Sequence, residues 1–340
     1  PGIEASQRTY NILGNGKSYV TIQNLNLQKP NTYGILLAGG AASDIIVDGC
    51  TVSHAYNHGI SSAGSAETQS VTIQNCTVNW SGGCGINVDT PSHHWTIQDN
   101  IVHNNSQIYI AGDGNFLYTG GIKGWTDADQ NVKGIIIQRN KVYSQGKLPD
   151  GTRVNTEVAA SGIWMDSFAH TNYTDGVLIT RNEVYDNMRV GIFLESGSYS
   201  TVTYNLVYNN NAAGAGSWGI RASDSYALNP ANYNMIYNNV VYGNGYGGIS
   251  VAGSRGSEAN RCIGNEVKNN IVMGNGSGNY AYQLYVEYGG ENDGTMGSGN
   301  IYLNNAFGPA SIRFIQWGHL IFKATYAAWY AAYSAANGNT

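Results

Sequence analysis

The chain has 340 residues, 42% of them hydrophobic, and a formal net charge of −5. Its 17 Lys and Arg residues are too few for the basic surface of a nucleic-acid-binding protein. No apolar run reaches the length of a membrane span, so we expect no membrane-spanning segment. No signal peptide is visible, but the many Gly, Asn and Tyr residues and the few Lys favour a secreted protein, of which a chain that begins at Pro1 would be a processed form.

A Gly-Ile pair that recurs along the chain is the main architectural signal. The pairs begin at Gly34, Gly59, Gly85, Gly121, Gly162, Gly191, Gly219 and Gly248. Between them runs a second recurring phrase, of which the segment from Ile73 to Val78 is one copy. Self-similarity at a period of about 20 to 50 residues predicts a solenoid.

Within the second phrase, a polar column repeats two residues before an apolar one. The polar column holds six successive Asn: Asn100, Asn140, Asn182, Asn205, Asn239 and Asn270. Stacked Asn amides can bond one another between repeats, which satisfies groups that are costly to bury. Cys50 and Cys76 occupy the same column, and we expect stacked, buried thiols there rather than a disulfide.

The repeated segments are short, rich in Val, Ile, Tyr and Thr, and bounded by Gly and Asn. They predict an all-β fold, namely a single-stranded right-handed parallel β-helix of about nine to ten rungs. An antiparallel sandwich, the alternative, would not keep an interior Asn column in register. We interpret residues 1–310 as the β-helix catalytic domain and residues 311–340, with their aromatic and Ala-rich run, as a C-terminal capping segment.

Strand alternation identifies the side chains that face outward. On the outer Gly-Ile rungs these are neither aromatic nor charged, whereas the central rungs carry the large aromatic and charged ones. Asp166 and Glu195 occupy the same outward column on consecutive rungs, so their Cα atoms should lie ~4.8 Å apart. Two carboxyl groups this close disfavour joint ionisation, and we expect a raised pKa for one of them. The spacing fits a retaining glycosidase, whose carboxyl groups are ~5 to 5.5 Å apart, better than an inverting one. A surface salt-bridge network with Lys123 and Arg221 is the alternative.

Other residues on this face are candidates for substrate binding. They are Lys123, Trp125, Trp164, Phe193, Arg221, Asp89 and His170. The aromatic ones could form stacking platforms for sugar rings or could pack against a covering loop. Two long insertions, residues 104–120 and 144–161, border the face and are expected to wall a cleft, with Tyr109, Asp113, Tyr118, Arg153 and Glu157 as further candidates.

Four segments carry a family resemblance, and they begin at Gly121, Gly162, Asn182 and Gly191. They resemble bacterial carbohydrate-active β-helix proteins of the pectate-lyase-like superfamily, with a site similar to that of the retaining β-helix β-xylosidases. This resemblance implies that Lys123 binds substrate or tunes charge, that Asp166 is the nucleophile and that Glu195 is the acid/base. The chain lacks the Asp-Asp and Gly-His-Gly elements of polygalacturonases, the Asp-Pro-His element of epimerases and Ca²⁺-binding nonapeptide repeats.

The sequence therefore favours a glycosidase that acts on a polysaccharide or oligosaccharide without a metal or other cofactor. A polysaccharide lyase is the first alternative. There Lys123 would abstract the proton beside a uronate, Arg221 would neutralise its carboxylate, and Asp89, Asp166 or Glu195 could hold Ca²⁺. A non-catalytic carbohydrate-binding solenoid is the second.

Overall fold

The computed structural model describes residues 8–62, 67–108, 116, 118–126, 132–154, 159–168, 170–210, 216–223, 231–255, 262–278, 281–289, 299–318 and 321–336. These residues form three long sheets, A, B and C, whose strands follow one another in the order A, B, C once per rung. Neighbouring strands of a sheet come from successive rungs and are parallel, except for the last pair of sheet A. The architecture is a parallel β-helix, as the repeats predict.

Sheet A contains the Gly-Ile strands. Its strands, numbered in chain order through the molecule, are β1 (Tyr10–Leu13), β4 (Tyr33–Leu36), β7 (Ile60–Ser61), β10 (Ile86–Val88), β14 (Gly120–Trp125), β18 (Ser161–Asp166), β21 (Ile192–Glu195), β24 (Trp218–Ser223), β27 (Gly247–Arg255), β30 (Tyr282–Gly289), β33 (Ile315–Trp317) and β34 (Phe322–Lys323).

Sheets B and C contain the remaining strands. Those of sheet B are β2 (Val20–Gln23), β5 (Ala42–Asp48), β8 (Thr68–Gln74), β11 (Ser92–His93), β12 (Thr96–Gln98), β15 (Val132–Lys133), β16 (Ile136–Gln138), β19 (Leu178–Thr180), β22 (Thr201–Thr203), β25 (Met235–Tyr237), β28 (Glu266–Lys268) and β31 (Ile301–Leu303). Those of sheet C are β3 (Asn26–Gln28), β6 (Thr51–Ser53), β9 (Thr77–Asn79), β13 (Ile101–His103), β17 (Lys141–Tyr143), β20 (Glu183–Tyr185), β23 (Leu206–Tyr208), β26 (Val240–Tyr242), β29 (Ile271–Met273) and β32 (Ala306–Gly308).

Close packing at one corner of the solenoid explains the recurring Gly-Ile pair. The Ile side chains fill the core. A Cβ atom at Gly162 would lie 2.5 Å from Val184 Cγ1 and 2.6 Å from Gly191 O, so any larger residue would clash. The other seven glycines of the signature make equivalent approaches to the Val column of sheet C.

The predicted Asn ladder runs through the turn between sheets B and C. Asn182 is typical, because its Nδ2 donates to Asn205 Oδ1 at 3.0 Å while its own Oδ1 accepts from Asn140 Nδ2 at 3.0 Å. At the start of the column Cys50 and Cys76 are buried free thiols, as expected, and Cys50 N donates to Cys76 Sγ at 3.4 Å. A second ladder, which the sequence analysis missed, follows sheet C through Asn105, Gln145, Asn187, Asn210, Asn244, Asn275 and Gln283.

A C-terminal helix, α1 (Tyr326–Ala336), covers the last rung. Trp329 and Tyr333 are buried and pack against Trp317 and Phe307. β33 still pairs in parallel with β30, so the solenoid continues through Trp317, into the segment assigned to the cap. Within the described ranges, no helix is long and apolar enough to cross a membrane.

Candidate functional site

The outward column of carboxylates lies at the carboxyl ends of the central strands of sheet A. β14, β18 and β21 align Trp125, Asp166 and Glu195 as direct partners, and Ser223 of β24 continues the column. The inward residues between them, such as Met165 and Leu194, are fully buried in the core. Asp166 and Glu195 are therefore neighbours on one face, at the strand spacing of ~4.8 Å that the repeats predict.

Lys123 forms an ion pair with one of these two carboxyl groups. Its Nζ lies 3.4 Å from Asp166 Oδ2 and donates to Tyr118 O at 3.0 Å. The same ammonium lies 4.1 Å from the centroid of the Trp164 ring. Ser167 Oγ donates to Asp166 Oδ1 at 3.0 Å. Both carboxylate oxygens of Asp166 thus have a partner that holds the side chain in place.

A stack of four side chains runs beside the carboxylate column. The order of register partners is Lys123, Trp164, Phe193 and Arg221. The rings of Trp164 and Phe193 stack at 5.6 Å, and the guanidinium of Arg221 lies 5.0 Å from the Phe193 centroid. A cation therefore caps each end of an aromatic pair, an arrangement that stabilises both charges near the face of the sheet.

The stack corrects the idea that Trp164 and Phe193 are open platforms. Trp164 is 4% and Phe193 is 8% exposed, because each ring is covered by the other and by a cation. Trp125, in the carboxylate column, is 40% exposed and is the aromatic candidate whose surface is available to a ligand. The predicted roles of these residues in binding remain predictions.

Two other candidates lie away from the pair. His170 is buried at the corner that leads to sheet B, where its ring packs edge-on against Phe168 and its backbone N donates to Phe168 O. Burial lowers the pKa of His170. Its ring and backbone contact Phe168 at that corner, away from the column of Asp166 and Glu195. Asp89 follows β10, two rungs before Asp166, and its Oδ1 accepts from Thr90 N at 3.0 Å.

The predicted walls of the cleft are partly described. The Tyr118 ring packs edge-on against Trp164 at 6.3 Å, so the first insertion does reach the stack. Arg153 pairs with Lys147 in an isolated bridge of the second insertion. Tyr109, Asp113 and Glu157 lie outside the described residues.

Sequence reasoning missed a polar group of sheet A next to this site. His58 and Cys84 precede successive Gly-Ile pairs, and Cys84 N donates to His58 Nδ1 at 2.8 Å. Burial and the positive charge of Lys123 lower the pKa of His58 to about 3. Burial raises the pKa of Cys84 to about 11, although the positive charge of Lys123 by itself lowers that pKa. The recurring position before each Gly-Ile pair was the signal that could have identified them.

Across the ranges that the structure describes, no group of three or more His, Cys, Asp or Glu side chains is arranged to hold a metal ion.

Residues 10–319 match the family model described as the right handed beta helix region. The chain belongs to the right-handed β-helix family. No curated protein matches it.

Three solved structures show how widely this right-handed β-helix is shared. The mannuronan C-5 epimerase AlgE6 A-module of Azotobacter vinelandii is 17% identical with a TM-score of 0.59, over 90% of this chain and 74% of that one. The surface protein and adhesin PfbA of Streptococcus pneumoniae is 12% identical with a TM-score of 0.54, over 88% and 84%. The periplasmic alginate epimerase AlgG is 16% identical with a TM-score of 0.53, over 83% and 60%. At these identities the likeness is one of fold alone.

Proposed function

We propose that this β-helix protein is a retaining glycoside hydrolase that acts on a polysaccharide or oligosaccharide. The observation that carries the proposal is the direct register pairing of Asp166 with Glu195 on the outer face of sheet A. Carboxyl groups one strand apart suit the short separation that the double-displacement mechanism requires, and leave too little room for the water of an inverting enzyme.

The contacts of Asp166 support its role as the nucleophile in this proposal. Asp166 has Lys123 and Ser167 at its two oxygens, which fixes its orientation as a nucleophile. Glu195 then protonates the leaving oxygen and afterwards activates the water that releases the glycosyl-enzyme. In the first step the Asp166 oxygen bonds to the anomeric carbon as the glycosidic bond breaks. In the second, water replaces Asp166 and its proton passes to Glu195.

Lys123 is less suited to the proton abstraction of a lyase. Its ammonium is engaged by the Asp166 carboxylate, the Tyr118 carbonyl and the Trp164 ring. It is therefore placed to hold Asp166 rather than to accept a proton from a uronate. Two of the fold neighbours are epimerases of mannuronan or alginate, so uronate-containing polymers belong in any substrate panel.

The test is mass spectrometry of products from neutral and uronate-containing polysaccharides in H₂¹⁸O, with and without a chelator. We expect fragments that contain one added ¹⁸O, and a loss of turnover on the order of 10³-fold or more in Asp166→Asn and Glu195→Gln. Asp99→Asn is the matched control, because Asp99 pairs with Arg139 on another, solvent-exposed surface.

Three results would contradict the proposal. Unsaturated fragments without added oxygen would indicate elimination. Unchanged chain length with exchange of a ring proton would indicate epimerisation. Full turnover in either carboxyl variant would remove the pair from the mechanism.

A further inference from the structure

A groove lies where sheet C turns into sheet A on the early rungs, apart from the carboxylate pair. It has a volume of about 380 Å³, within the range of small-molecule sites, and we call it the corner groove. Its aromatic lining is His54, Tyr56 and Trp80, and its apolar lining includes Pro30, Ala55 and Ile108. β10, which follows Trp80, is two rungs from β18, so Trp80 and Asp166 are separated by ~10 Å along the solenoid. The groove and Asp166 also lie at opposite ends of the sheet A strands, since the groove precedes these strands and Asp166 ends one of them.

The rings of the corner groove are held by neighbouring aromatic side chains. Trp80 stacks with His54 at 6.3 Å and meets the edge of His103 at 6.4 Å. Tyr56 packs edge-on against buried Phe116 at 5.5 Å and still has half of its surface exposed. The rings of Trp80 and Tyr56 thus have fixed positions and accessible surface, and they border one concavity. Aromatic rings arranged in this way pack against the C–H faces of a pyranose.

The column of the solenoid that supplies His54 and Trp80 carries different residue types on later rungs. Its residues have left-handed backbone conformations, with φ of 48° at Lys29, 56° at His54 and 59° at Trp80. On the following rungs the same position carries small or polar residues that suit this conformation: Asn104, Ser144, Asp186 and Asn209. Within this column, large side chains occupy the left-handed position only on the rungs that border the groove, which suggests that they have a role there.

The polar lining suits a saccharide rather than a purely apolar ligand. Lys29, Asn31 and Gln107 border the groove, and none of its lining residues is acidic. Burial and the charge of Lys29 lower the pKa of His54, so its ring is neutral near pH 7. Gln107 Nε2 donates to Asn105 O and Lys147 O, which leaves its side-chain oxygen as an acceptor beside the groove. With the positive charge of Lys29 and the amide of Asn31 beside the aromatic rings, the lining suits either a neutral or an anionic sugar.

We propose that the corner groove binds one or two sugar residues of a polysaccharide, outside the site of Asp166 and Glu195. The inference rests on the carbohydrate class of ligand put forward above, but not on the hydrolytic mechanism. A groove of this kind anchors a polymer at a distance from the bond being cleaved. A short substrate bound at Asp166 and Glu195 does not reach it, so the groove does not affect turnover of that substrate.

The experiment is affinity electrophoresis in native gels that contain soluble xylan or, separately, polygalacturonate. Trp80→Ala and Tyr56→Ala are compared with wild type, with Trp80→Phe, and with the control Tyr204→Ala. Tyr204 is 56% exposed and has a φ of 57°, so the control also removes an exposed ring from a left-handed position. Each variant is first checked for an unchanged thermal unfolding midpoint, and binding is also measured in the Glu195→Gln background.

We expect the two alanine variants to bind the retarding polymer about tenfold more weakly, with Trp80→Phe intermediate and Tyr204→Ala unchanged. Turnover of a short oligosaccharide should be unaffected by Trp80→Ala, which separates this groove from the catalytic proposal. Equal retardation of wild type and both alanine variants, or no retardation of wild type by either polymer, would overturn the proposal.

Discussion

Lys123 is the residue on which the candidate site most depends, because its buried ammonium has three partners. Lys123→Met should destabilise the protein by about 3 kcal/mol, since the change leaves the half-buried Asp166 carboxylate without its counter-charge. Urea unfolding at neutral pH measures this.

Lys141→Met is the control for that measurement. Lys141 forms an ion pair with Glu183 at 3.4 Å in which both side chains are more than one-third exposed. Its loss should cost less than about 1 kcal/mol. Equal effects of the two substitutions would show that Lys123 does not hold a buried charge.

His58 makes a separate prediction about pH. Its folded-state pKa of about 3 lies below the value of about 6.5 expected in the unfolded chain. Between these values the unfolded state binds a proton that the folded state does not, so the contribution of His58 to stability decreases as pH falls below 6.5.

We expect His58→Gln, whose side-chain oxygen can still accept from Cys84 N, to lessen the loss of stability between pH 7 and pH 4 by up to about 3 kcal/mol. Urea midpoints of both proteins at the two pH values measure the difference. Identical pH dependence would mean that the imidazole is not buried in its neutral form.

At the scale of an element, the Gly-Ile signature is a packing constraint. Gly162→Ala should cost several kcal/mol, because the new Cβ would meet Val184 and the backbone oxygen of Gly191 inside 2.7 Å. At Gly197 a Cβ would lie 3.5 Å from its nearest neighbour, so Gly197→Ala should be close to neutral. Thermal unfolding of the two variants measures the contrast, and a neutral Gly162→Ala would refute this explanation of the repeat.

The columns of sheet A could be predicted from the sequence because a parallel β-helix preserves side-chain orientation from rung to rung. The period alone places Asp166 beside Glu195 and Lys123 beside Trp164, as the register confirms. The second polar ladder repeats with the same period. It was not predicted because Gln145 stands between Asn105 and Asn187, so the column does not read as an unbroken run of Asn.

The details of the site could not be predicted in this way. Whether Trp164 offers its face to solvent depends on which rotamers let Phe193 and Lys123 cover it, and alternation does not determine that. The contact of Lys123 with Tyr118 O depends on the path of an insertion that has no counterpart in other rungs. The corner groove likewise arises from turns of unequal shape rather than from the repeat.

At the scale of the whole molecule, stability depends on closing the open end of the solenoid. Trp329 of α1 is 1% exposed and packs against Trp317 and Phe307, whereas Tyr330, next in sequence, is 52% exposed. Trp329→Ala should cost about 3 to 5 kcal/mol, and Tyr330→Ala much less. Hydrogen exchange should show faster opening of β30 and β33 in Trp329→Ala. Protection equal to that of wild type would show that the helix does not cap the last rung.

The central claim is that Asp166 and Glu195 act as the nucleophile and acid/base of a retaining hydrolase. The most direct measurement is proton NMR of the anomeric configuration of the first product formed from a cleaved polysaccharide, before mutarotation. The account predicts that the new reducing end has the configuration of the bond that was cut. An inverted anomer, or an unsaturated sugar in place of a reducing-end product, would contradict it.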